Sequence, residues 1–126
     1  MRGKKIVLDL EFIPYRRKQE PYCVHEIIEI GAVALDADNE IYDEFQMYVK
    51  PQYGTVPPFV TAITGITNEM LVGQVSFSEA MQAFEAWLPQ EDSYRFYTWS
   101  GSDQHVFQAE AEWKERPLLG NFYGWW

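Results

Sequence analysis

The sequence predicts an α/β domain, a mixed sheet with flanking helices, built from one chain of 126 residues. Three observations carry that class. Strand-like apolar runs come first and in succession, at residues 5–12, 26–35 and 41–50. An amphipathic helical stretch, a fourth strand-like run and a second helical stretch then alternate. Finally, 47% of the residues are hydrophobic and 17% aromatic, which is enough to fill the core of a single domain.

The first run, Lys5-Ile6-Val7-Leu8-Asp9-Leu10-Glu11-Phe12, ends near Pro14. Side chains of a strand alternate between faces, so Asp9 and Glu11 share one face while Leu8, Leu10 and Phe12 take the other. Two carboxylates side by side on an apolar strand repel each other and resist desolvation. They stay ionised together only where a cation or water attends them. They read either as half of a divalent-metal site, which hard oxygen ligands suit, or as a strand end emerging into solvent. Residues 14–22, with Arg16, Arg17 and Lys18 in a row, are expected to form a loop. That loop is either a solvated turn or a phosphate-steering segment beside the carboxylates.

Residues 26–35 are nearly all apolar, as in a central strand, with Glu29 as a buried carboxylate hydrogen-bonded within the fold. Asp36-Ala37-Asp38-Asn39 has the composition of a hairpin turn. The next run alternates, with Ile41, Phe45, Met47 and Val49 on one face and Tyr42, Glu44, Gln46, Tyr48 and Lys50 on a solvated one. That pattern predicts antiparallel pairing with its predecessor, so the chain opens as a three-stranded meander.

Pro51, Pro57 and Pro58 make the following connection irregular. Ile63-Thr64-Gly65-Ile66-Thr67 falls between two short helical pieces, where Gly65 allows a close backbone approach or a left-handed turn. Ser76 and Glu79 form a capping box ahead of Phe77, Ala80, Met81, Phe84, Trp87 and Leu88, which recur at helical spacing until Pro89. The aromatic stripe is core. Residues 94–99 read as a strand, and Ser102 is expected to cap a helix reaching Trp113. Asp103 falls in that helix's first turn, where an acid suits the dipole, and His105 is expected on its surface.

In this order the carboxylate strand is central and the strand at residues 94–99 lies parallel beside it. Ligands gather at the carboxyl ends of such strands, where Asp9, Glu11 and Asp103 would meet. The convergence favours the metal reading.

The 19 acidic residues against 10 basic ones give a net charge of −9. This argues against a protein that coats nucleic acid through its phosphates, but not against an enzyme gripping one chain end through metal ions. No signal peptide or membrane span is expected, because the first apolar run is short and interrupted by Asp9. The single cysteine, Cys23, leaves no internal disulfide, so a cytoplasmic chain is expected. Cys23 reads as a bystander, since only His25 lies near it and no local motif supports a pair.

Four stretches together resemble the DnaQ-like 3′–5′ exonucleases, which have the ribonuclease H-like fold. They are residues 8–12, residues 26–31, Ile63-Thr64-Gly65-Ile66-Thr67, and residues 99–103. Within that family the chain is most similar to the exoribonuclease branch that trims histone mRNA tails and small RNAs. The resemblance implies hydrolysis at the 3′ end of single-stranded RNA or DNA, releasing 5′-mononucleotides. It implies two Mg²⁺ or Mn²⁺ ions about 4 Å apart clamping the scissile phosphate. Asp9 would bridge both ions, Glu11 would hold the water-side ion and Asp103 the other. Leu10 and Phe12 match positions that contact the terminal nucleotide, and Ile63 and Thr64 match the segment lining its base and sugar.

One departure is large. The family's third motif, a His and a fourth Asp on a later helix, has no counterpart, and neither His25 nor His105 lies in a matching context. The resemblance therefore implies a single exonuclease domain over residues 1–126, truncated before its last strand and helix, or else a degenerate relative. An exposed sheet edge would then invite self-association. The rival reading is a non-catalytic nucleic-acid- or protein-binding module on the same fold.

Overall fold

The apolar alternation of the first half of the chain becomes a twisted meander. In the computed structural model, which describes residues 4–16, 23–89, 94–98 and 101–116, strands β1 (Lys4–Arg16), β2 (Cys23–Leu35) and β3 (Ile41–Tyr48) pair antiparallel in succession. A short strand β4 (Tyr94–Tyr97) then lies parallel to β1 over Lys4–Val7, giving the order β3-β2-β1-β4. The carboxylate strand is central, and the later strand is parallel beside it, as expected.

Helices cover both faces. Ile6, Leu8 and Leu10 of β1 and Ile27, Ile30, Ala32 and Ala34 of β2 form the larger core with α3 (Phe77–Trp87) and α4 (Gly101–Trp113). Phe84 is fully buried at its centre, with the rings of Phe45, Trp87, Phe96 and Phe107 around it. On the opposite face Ile13 and Ile28 pack against Val60 of α1 (Pro58–Thr64) and Leu71 of α2 (Asn68–Leu71), with Val56 and Ile66. Among the described residues no helix is long and apolar enough to cross a membrane.

Local signals act as read. Asp36 Oδ1 accepts from the N–H groups of Asp38 and Glu40, closing the β2–β3 turn, with Asn39 at φ 64°. Gly65 caps α1 in the left-handed conformation at φ 79°, so the turn reading holds, and an added Cβ would meet nothing within 4 Å. Both hydrogen bonds of the Ser76–Glu79 capping box are present.

Several expectations are corrected. β1 does not stop at Pro14 but runs to Arg16, with Pro14 opposite His25 on β2. Among the described residues the other side of β1 has no strand partner beyond Val7, and a strand edge tolerates proline. Arg17 and Lys18 lie outside the described residues. Ile41, at the tip of β3, is 59% exposed instead of core-facing, and Val49 leaves β3 to bridge Val75. Ser102 sits inside α4, one residue past its start, and does not cap it. Glu29 is only half-buried; the fully buried strand carboxylate is Glu26. The last part of the chain, residues 117–126, is outside the described residues, as are Trp99 and Ser100.

Candidate active site

The acidic site begins with strand alternation. On β1 the residues Ile6, Leu8 and Leu10 point into the larger core, which leaves Val7, Asp9 and Glu11 on the other face, before Ile13 enters the smaller core. Asp9 is exposed and Glu11 half-buried. The alternation of β2 breaks at this level. Glu11 pairs with Glu29 and Phe12 with Ile27, so Ile28 is the extra residue of a β-bulge. Its consequence is electrostatic: Glu29 faces Glu11 across the ladder, with Gln46 Nε2 donating to Glu29 Oε2 at 2.8 Å.

Asp103 arrives from α4. The chain passes from the end of β4 at Tyr97 to the start of α4 at Gly101, so the first turn of the helix reaches β1 where β4 no longer pairs with it. There Asp103, which is 8% exposed, comes near the backbone of Leu10. Burial and the neighbouring Asp9 charge push the Asp103 carboxyl up, and the Leu10 backbone partly offsets them. Glu11 is raised by burial first, then by Asp9, Glu29 and Asp103. The fold therefore brings Asp9, Glu11 and Asp103 into mutual repulsion, and adds Glu29. Among the described residues no three His, Cys, Asp or Glu side chains gather closely enough to hold a metal ion.

The remaining sequence-predicted residues surround this group. Leu10 is 4% exposed and its side chain belongs to the core. Phe12 meets the His25 ring edge-on, with centroids 5.2 Å apart. Ile63 stands 81% exposed on α1, and half-buried Thr64 donates its hydroxyl to Val60 O and accepts from Ile66 N–H. His105 is exposed, as expected. Burial, and after it the charge of His105, lower the His25 imidazole.

A second polar group, also missed in the sequence, lies beneath the site. Glu26 and Glu110 are both fully buried and share the Lys114 ammonium at 2.9 and 2.7 Å. Glu26 also collects the backbone N–H groups of Gln52, Tyr53 and Gly54, at 2.6–3.2 Å. Glu110 Oε1 accepts from Ile27 N–H at 2.6 Å. Desolvation dominates and pushes Glu110 up to about 7, against the pull of Lys114. Two signals for this cluster exist in the sequence: Glu110 lies seven residues after Asp103, hence on the same helix face, and Lys114 lies four after Glu110.

Comparison with known proteins gives a consistent picture. The model of the exonuclease family RNase_T matches residues 6–112. The DNA polymerase III subunit epsilon of Pasteurella multocida is 37% identical over 81 residues, which is 64% of this chain and 32% of that protein. The 3′-5′ exoribonuclease 1 of Homo sapiens is 33% identical over 82 residues, 64% of this chain and 24% of that protein. The chain thus spans a third or less of the length of these relatives. A 3′-exonuclease solved in a study of 3′-end specific recognition of the histone mRNA stem-loop superposes with a TM-score of 0.69. That match has 24% identity and covers 90% of this chain and 42% of the other, which supports the fold.

Proposed function

Because the chain belongs to the RNase_T exonuclease family, we propose that it carries the acidic half of a metal-dependent 3′–5′ exonuclease site acting on single-stranded RNA or DNA. The observation that carries this reading is that Asp9 and Glu11, from one face of the central strand, and Asp103, from the first turn of α4, lie near enough for Asp9 to raise both other carboxyls, although not yet at ligand spacing. Their mutual repulsion is what a divalent cation relieves, and all-oxygen donors suit a hard ion, so the chemistry of the donor set fits. Asp9, Glu11 and Asp103 would hold Mg²⁺ or Mn²⁺. Two such ions, when bound, supply Lewis-acid polarisation of the phosphate and a more acidic water.

The chain's own residues do the rest. The Leu10 backbone beside Asp103 favours the charged carboxylate, the form that would take a cation. Exposed Ile63 and its neighbour Thr64, together with Phe12 and the Leu10 backbone, would line the terminal nucleotide. The partner is a nucleic-acid 3′ end, which agrees with the histone mRNA stem-loop named for the solved 3′-exonuclease. A cytoplasmic setting, read from the single cysteine, accompanies the proposal.

The test is shortening of 5′-labelled single-stranded RNA and DNA, with and without Mn²⁺, by this chain and by Asp9→Ala. Mn²⁺-dependent loss of 3′ nucleotides, abolished in the variant while its circular dichroism is unchanged, is the expected result. Shortening that survives Asp9→Ala refutes it, and no shortening by the wild type makes this chain an inactive fragment of the family. Tight binding of the strand without shortening would favour a non-catalytic module.

A further inference from the structure

The bulge in β2 leaves one backbone donor to be satisfied from outside the sheet. At the level where Glu11 pairs with Glu29 and Phe12 with Ile27, the Ile27 N–H donates to Glu110 Oε1 at 2.6 Å, in a fully buried bond. Glu110 lies two turns after Asp103 on α4, roughly 10 Å along the axis and on the same face. The helix therefore meets the sheet at two levels and grips it at the second. Asp103 lies near the backbone of Leu10, the residue before Glu11, and Glu110 takes the N–H of the residue paired with Phe12, the one after it.

That grip is itself anchored. Lys114 holds Glu110 and Glu26 together, and Glu26 fixes the loop at Gln52, Tyr53 and Gly54 that leads into α1. We propose that Glu110 is a positioning residue for the acidic site: acting through the Ile27 N–H and the bulge, it sets the placement of Glu11 relative to Asp103. This rests on the reading that Asp9, Glu11 and Asp103 hold divalent ions. A buried carboxylate that served stability alone would act through its charge on Lys114. A positioning one acts through its reach to Ile27.

Two conservative variants separate these roles. Glu110→Gln keeps the length and an acceptor oxygen for Ile27 but loses the charge. Glu110→Asp keeps the charge on Lys114 but falls one methylene short. Mn²⁺ dissociation constants are measured by calorimetry on both variants and wild type, with thermal melts confirming that each is folded. Removal of a group that orients metal ligands typically weakens metal binding about 10- to 100-fold, so the expected result is that loss in Glu110→Asp and a change of less than about 3-fold in Glu110→Gln. Unchanged affinity in Glu110→Asp, or an equal loss in both, overturns the proposal. If Glu110→Asp does not fold, Glu110→Gln decides: retained affinity supports positioning by reach, and lost affinity overturns it. A wild type that binds no Mn²⁺ would instead refute the metal-site reading on which the proposal stands.

Discussion

Replacing Glu110 by Gln should flatten part of the pH dependence of stability. The Glu110 carboxyl is buried beside Lys114, which favours its charge, and beside Glu26, which opposes it. Desolvation wins and raises it from 4.5 to about 7. A carboxyl whose folded value exceeds its unfolded value binds more protons in the native state. Its contribution is fully present below about 4.5 and is lost as pH rises through about 7. A shift of that size corresponds to ~3 kcal/mol in total, of which ~2–3 kcal/mol falls between about pH 5 and about pH 8.

Other groups contribute in both proteins. Raised Glu11 and Asp103 lose stability with rising pH, and lowered His25 gains it. They cancel in the difference between wild type and Glu110→Gln. Urea unfolding of both across that range is the assay, and the wild type should lose ~2–3 kcal/mol relative to the variant as pH rises. Parallel curves would refute the reasoning, because they would mean that Glu110 ionises at the same pH folded and unfolded.

Two further changes probe the scaffold. An added Cβ at Gly54 would stand 3.0 Å from Ile13 Cδ1 and 3.1 Å from Glu26 Oε1, the atom its own N–H supplies. Gly54→Ala should cost ~1–2 kcal/mol in a thermal melt, and an unchanged melting temperature would show that the loop yields freely. Ser76→Ala removes the hydroxyl that accepts Glu79 N–H, so α3 should lose ~1 kcal/mol of support in urea unfolding. The Glu79 carboxyl, held low by Ser76, should move up toward its ordinary value in an NMR titration.

Much of this architecture was legible in local pattern. Period-two alternation alone put Asp9 and Glu11 on one face, and the position of Asp103 in the first turn of a helix followed from its spacing after a strand. The turn at Gly65 and the cap at Ser76 depend on a few neighbouring residues, and these are what a sequence displays. What escaped notice depends on pairs far apart in the chain. A bulge at Ile28 has no residue signature, yet it shifts the phase of β2, so Glu26 rather than Glu29 is buried. Glu26 and Glu110 look like surface acids until Lys114 and four backbone N–H groups are brought to them. Pro14 misled because it usually ends a strand, and here it lies where β1 has one strand neighbour among the described residues.

The uneven seams of the sheet also order its assembly. β1 and β2 pair along nearly their whole lengths with only a short connection, whereas β1 and β4, among the described residues, pair over Lys4–Val7 and must close most of the chain to do so. Closing a long loop is entropically slow, so the meander can zip first, with Asp9 and Glu11 already displayed but Asp103 still elsewhere. The acidic site comes into being only when β4 and α4 dock. A cation shared by Asp9 and Asp103 would therefore latch the last-made and shortest seam, and chelation should loosen the molecule there before anywhere else.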